Sequence, residues 1–140
     1  MTGIEIRRAG EIESALADTD RQYLVGTLGR PQALAHIPDT DVEVGVSHYR
    51  QDTADVPHLH PVQREFQYVV SGRAVLRDLR SGTEHLLGPG DFYAVEAGIP
   101  HAHKSKAGTH IVFFKHPAGN DKTEIDPDPE LQAWLADFDF

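Results

Sequence analysis

The sequence predicts an all-β domain, either a sandwich or a barrel, on three observations. Apolar and polar residues alternate with a period near two over most of residues 42–116. Short turn signals built from Gly, Pro, Ser and Asp divide those runs at regular intervals. The chain has 140 residues and no cysteine, long enough to bury one core without a disulfide staple.

The elements follow in order. Residues 10–18, GEIESALAD, suit a short helix, with Ile12, Ala15 and Leu16 on one face and acids near the start. Residues 23–28, YLVGTL, read as a strand. Val42, Val44 and Val46 then alternate with Glu43, Gly45 and Ser47, the pattern of a half-buried strand. Further strands are expected at 64–70, 73–79, 84–87, 92–95, 101–105 and 110–116. Ser71-Gly72 and Ser81-Gly82 suggest tight hairpins. Near the end, Asp126-Pro127-Asp128-Pro129-Glu130 has the acid cap and first-turn proline of a helix start. Leu131, Trp134, Leu135 and Phe138 share one face of that helix, which packs either on its own barrel or on a partner subunit.

Composition narrows the function classes. The net charge is −9, and the last twenty residues contribute seven acids and one lysine. Nucleic acid and anionic membrane both need a cationic surface, so neither is expected as a partner. No apolar run reaches the length of a membrane span, and the first residues lack the apolar stretch of a secretory signal. A cytoplasmic location is the expectation. Without cysteine, any metal must be held by His, Asp or Glu.

One stretch stands out: His58-Leu59-His60-Pro61-Val62-Gln63-Arg64-Glu65. On an extended chain, residues i and i+2 project from one face, roughly 6 to 7 Å apart along the backbone. His58 and His60 therefore suit a shared ion, or else are two exposed loop histidines. Glu65 and Gln67 share a face of the next strand and enter the same cavity if that face points inward. His101 is the candidate ligand from a distant strand. His103, on the face of His101, is either an acid/base or substrate contact or an exposed residue past the rim. His48 follows the valines on one face and approaches the cavity if they do, or is a satisfied core histidine. Tyr93 is a candidate donor, though aromatic residues in such strands are mostly packing. The acidic run from Asn120 to Glu130 reads as a solvated capping segment.

His-x-His, four residues, Glu, six residues, Gly in HLHPVQREFQYVVSG resembles the first motif of the cupin superfamily, and GPGDFYAVEAGIPHAH resembles the second. The resemblance covers residues 42–116; Asp52, Glu96 and Ser105 depart from the usual pattern, and none of them is a ligand position. It implies a double-stranded β-helix (jelly-roll) barrel with a short C-terminal helix. Residues 1–140 then form one domain, with a barrel core at about 42–116, an N-terminal strand and helix segment at 1–41, and an acidic helical segment at 117–140. It also implies that His58, His60, Glu65 and His101 hold one divalent transition metal ion per chain: Mn, Fe, Ni, Zn or Cu. Glu65, if not tightly bound to the metal, or His103 would move a proton; Gln67 either contacts a ligand or simply satisfies Glu65, and His48 and Tyr93 are further candidate substrate contacts. The function implied is a metal-dependent enzyme, an isomerase/epimerase or a lyase, acting on a small oxygenated metabolite such as a sugar or keto acid. The alternatives are an Fe(II)-dependent dioxygenase and a non-catalytic sugar-binding or sensing module. A homodimer is expected by analogy with other small cupins.

Overall fold

A computed structural model describes residues 3–140; the first two residues of the expected domain lie outside the described residues. Helix α1 (Ala9–Ala15) precedes strands β1 (Arg21–Gly26), β2 (Ile37–Pro38), β3 (Glu43–Tyr49), β4 (Thr53–Ala54), β5 (His58–Leu59) and β6 (Arg64–Ser71). Next come β7 (Ala74–Asp78), β8 (Glu84–Leu87), β9 (Phe92–Val95), β10 (His101–Ser105), β11 (Thr109–His116), β12 (Thr123–Glu124) and helix α2 (Pro129–Ala136). Every strand expected between residues 42 and 116 is present to within about a residue or two at each end. Strand β5 falls where the sequence places His58 on extended chain, whereas the two-residue strands β2, β4 and β12 show no period of their own.

The strands form two mainly antiparallel sheets in a jelly-roll arrangement. One has the order β2-β1-β3-β11-β6-β9, and the other β12-β5-β10-β7-β8, with β4 also pairing β10. Ser81-Gly82 does close a hairpin, between β7 and β8. Ser71-Gly72 does not: β6 belongs to the first sheet and β7 to the second, so this turn carries the chain between layers. Gly72 suits that corner. Its φ is +87°, and a Cβ there would lie 2.4 Å from the Thr109 Cα.

The orientation of β3 corrects an expectation. Glu43, Gly45, Ser47 and Tyr49 face inward, and Val44, Val46 and His48 lie half-buried on the outer face. Gly45 explains the choice. A Cβ at that position would lie 2.1 Å from Phe113 Cζ, so the Phe113 ring occupies the space over the glycine. The outer face of the first sheet is accordingly apolar: Tyr68, Val70 and Phe92 are about half exposed or more, flanked by Val112 and Phe114. The inner apolar core is small, built on Tyr49, Val69 and Ile111 with Leu87 packed against it.

Helix α2 packs on its own barrel, the first of the two arrangements expected. Asp128 caps it by accepting from Leu131 N at 2.8 Å, and Leu131 is buried. Buried Lys104 of β10 donates to the Trp134 carbonyl at 2.7 Å and also to that of Asp137. Its Nζ lies 3.9 Å from the Trp134 ring. Among the described residues, no helix is long and apolar enough to cross a membrane.

Candidate metal centre

Three elements deliver the centre. His58 opens β5, and His60 follows two residues on; Glu65 is the second residue of β6; His101 opens β10, directly across from His58 in register. Glu65 points inward because β6 alternates strictly, placing Glu65, Gln67 and Val69 inside. All four site residues are buried. His58, His60 and Glu65 offer ligand atoms that lie within 4.8 Å of one another. His101 joins through Glu65, whose Oε2 is 3.5 Å from His60 Nε2 and 3.5 Å from His101 Nε2.

The hydrogen bonds behind the rings decide the tautomers. His58 Nδ1 is 2.7 Å from the Val56 carbonyl, His101 Nδ1 is 2.9 Å from the Ile99 carbonyl, and His60 Nδ1 is 2.8 Å from Asp121 Oδ1. A carbonyl or carboxylate oxygen only accepts here, so each Nδ1 carries the proton and each Nε2 presents a lone pair. His60 Nε2 and Glu65 Oε2 are buried without a hydrogen-bond partner among the described residues. Buried acceptors left unpaired are costly, and a cation among them removes that cost. The residues therefore fit a divalent ion: three imidazole nitrogens and one carboxylate suit a first-row transition metal, whose identity this donor set leaves open.

Electrostatics agree. Burial holds the His58 pKa down to about 4, aided by the His101 charge and opposed by the hydrogen bond to Val56, so this ring is neutral near pH 7. Burial also pulls the His101 pKa down, but Glu65 outweighs it, and the net shift is upward. Burial works to raise the Glu65 pKa, yet His101, His60 and Lys115 together hold it well below the usual carboxylate range. Glu65 is thus an anion suited to hold a cation and poorly suited to take up a proton. Gln67 steadies it by donating to Oε1 at 2.5 Å.

The other expected residues separate into two groups. His103 is buried on the inner face, with Nδ1 3.4 Å from Asp55 Oδ2 and Nε2 without a partner among the described residues. Tyr93 is buried across from Gln67 in register, its ring centroid 6.1 Å from that of His103. Burial raises the Tyr93 pKa well above normal, which keeps its hydroxyl protonated. His48 does not reach the cavity. It stacks on His110 at 3.8 Å on the outer face, because β3 turns its glycine-bearing face inward.

Two groups escaped sequence reasoning. Asp121, read as part of a solvated segment, holds His60 and also accepts from the N–H groups of Val62 and Gln63 at 2.7 and 3.0 Å. It reaches them because β12 pairs with β5, a two-residue contact with no pattern of its own. Asp55 stands behind His103 because β4 and the residue after it run beside β10; Asp55 N donates to the His103 carbonyl at 3.0 Å.

This is a jelly-roll barrel with a candidate His/Glu metal centre buried in its interior. The chain belongs to the Cupin domain family, whose pattern matches residues 45–114. Among curated proteins none matches it. Solved structures of similar fold include an uncharacterized conserved protein with a double-stranded β-helix domain from Klebsiella pneumoniae, 18% identical, covering 87% of this chain and 100% of that one, with a TM-score of 0.63. KdgF from Halomonas is 19% identical, over 72% of this chain and 80% of its own, with a TM-score of 0.56. The DMSP lyase DddQ from Ruegeria pomeroyi is 20% identical, over 79% of this chain, with a TM-score of 0.56; the match spans 52% of the lyase, about half its length. At these identities the likeness is one of fold, and fold alone does not select a chemistry.

Proposed function

We propose that the protein is a metal-dependent enzyme acting on a small oxygenated metabolite, of the lyase or isomerase/epimerase type. One observation carries the reading: three buried imidazoles whose Nδ1 atoms are all tied back leave bare Nε2 atoms beside a buried, unprotonated carboxylate. When bound there, a divalent ion supplies a Lewis acid for a substrate oxygen and for the negative charge that builds on it.

The chain's own groups supply the rest. Gln67 orients Glu65. Asp121 and two backbone carbonyls fix the rings, so the donor atoms need little reorganisation. His103, backed by Asp55, is the group placed to accept or return a proton at Nε2. Tyr93, kept protonated, donates a hydrogen bond. Lyases and isomerases share this need for a proton moved beside a stabilised oxygen.

Turnover is the test. The metal-loaded protein is incubated with a panel of sugars and of hydroxy and keto acids in D2O and followed by NMR. Deuterium incorporation or a new product, lost in His103→Ala, is the expected result. Thermal stabilisation by ligands without either signal would establish a binding module instead. Substrate-dependent oxygen consumption by the Fe(II)-loaded protein, with both oxygen atoms found in the product, would establish a dioxygenase. The apolar outer face of the first sheet supports a homodimer formed through it, since continuous exposed apolar patches mark interaction surfaces.

A further inference from the structure

The barrel interior holds a cation that the metal centre does not use. Arg21 of β1 lies across from Ser47 in register and so faces inward with it. Its Nε donates to Ser47 Oγ at 3.3 Å and its Nη2 to Tyr49 Oη at 3.2 Å, and the guanidinium carbon lies 5.1 Å from the centroid of the Phe113 ring. Both of these partners are neutral hydroxyls, and among the described residues no carboxylate comes within ion-pair distance of the guanidinium. Burial works against its charge, but Tyr49, Asp55 and Tyr23 outweigh that, so the guanidinium stays charged with no carboxylate in direct contact. Buried Lys115 differs, since its Nζ is 3.9 Å from Glu43 Oε2.

Arg21 also lines a cavity of about 740 Å³, whose wall carries the cations Arg30 and Lys122 and the acids Asp18, Glu43 and Glu124. This volume lies within the usual range for small-molecule sites, roughly 300 to 1,000 Å³. Asn120 and Lys122 of its wall flank Asp121 in the chain. Asp121 of that segment holds His60, and the charge of its neighbour Lys122 acts on both His58 and Asp55. Arg21 acts on the same Asp55, which backs His103. Arg21 and Lys122 thus both line the cavity, in a protein whose net charge is −9.

We propose that this cavity holds an anionic group of the substrate, with Arg21 as the specificity-determining anchor and Lys122 assisting, so that the substrate is a small hydroxy- or keto-carboxylate. The inference rests on the proposed metal-centred function for where the oxygenated end of the substrate points. The carboxylate would take Arg21 N–H groups left over from Ser47 and Tyr49 in a forked pair, a geometry a lysine cannot copy. Ser47, Tyr49 and the Phe113 ring hold the fork in place.

The test is calorimetric titration of Mn(II)-loaded and metal-free protein with pyruvate and glycolate, and with their neutral counterparts hydroxyacetone and ethylene glycol. The carboxylates are expected to bind the loaded protein at least tenfold more tightly than the neutral compounds. Arg21→Gln is expected to weaken the carboxylates about ten- to a hundredfold while leaving Mn(II) affinity and the neutral compounds unchanged. Arg21→Lys should recover part of the loss, and Lys122→Gln, at a site on the cavity wall, should weaken the carboxylates by a smaller factor. Tyr49→Phe keeps the core and removes only the orienting hydroxyl, so a smaller loss there guards against misfolding as the cause. Equal binding of carboxylates and neutral compounds, or carboxylate binding untouched by Arg21→Gln, overturns the anchor while the metal-centred reading stands. Failure of wild type to bind Mn(II), Zn(II) or Fe(II) overturns that reading instead; carboxylate binding to metal-free protein that Arg21→Gln abolishes would then still uphold the anchor.

Discussion

The two faces of the first sheet are inverted relative to a simple β-sandwich. Its inner face carries Arg21, Glu43, Glu65, Gln67 and Lys115, and its outer face carries Val44, Val46, Phe66, Tyr68, Val70, Val112 and Phe114. Ordinarily the apolar face packs the core and the polar face meets water. Here buried apolar residues, Tyr49, Val69, Ile111, Phe113 and Val75 among them, share the interior with these polar groups. Burying charge costs stability, so a polar interior with matched partners is kept where the chain uses it. On the proposed function, chemistry belongs to the inside and association to the outside, and each half can be broken separately.

The largest expected effect is on the inside. A His58→Ala/His101→Ala variant should fall from about one transition ion per chain to essentially none, measured by mass spectrometry on protein purified alongside wild type. Asp121→Asn, which leaves His60 in place but removes the charge behind it, should lower metal affinity about 10- to 100-fold in a competition titration; unchanged affinity would reduce Asp121 to a loop tie. Gly45→Ala forces a methyl into the Phe113 ring and should cost about 1–3 kcal/mol in denaturant unfolding.

Acid should act through His58. Unfolded, this ring takes up a proton below about 6.5; folded, only below about 4. Between those values the unfolded state binds more protons, so the metal-free protein loses stability as the pH falls from about 6.5 towards 4, on the order of 2 kcal/mol from this group. His101 has the opposite sign: its raised pKa gives stability present at low pH and lost as the pH rises through the folded value. His58→Gln should therefore flatten the acid-side decline in chemical denaturation, and an unaltered decline would place its origin elsewhere. The smallest effects belong outside. Phe92→Glu should convert a dimer to a monomer in analytical ultracentrifugation with metal content unchanged. His48→Ala should leave metal content intact and shift stability by no more than about 0.5 kcal/mol.

The inversion also explains what the sequence could reveal. The strands from β6 to β11 were legible because period-two alternation holds whichever face is apolar. Which face turns inward was not legible from the valines of β3: Gly45 and Phe113 decide it, and their contact spans two strands distant in sequence. His58, His60, Glu65 and His101 were legible as a set because their spacing repeats a known pattern. Asp121, Asp55 and Arg21 were not, since each reaches the interior through a pairing far along the chain, and single charged residues in turns and tails look alike.

Where an ion binds tests the candidate metal centre most directly. Crystals soaked in Mn(II) and measured at an energy where manganese scatters anomalously should show one strong peak per chain, between the Nε2 atoms of His58, His60 and His101 and Oε2 of Glu65. A peak beside the His48–His110 pair, or none inside the barrel at saturating Mn(II), would contradict it.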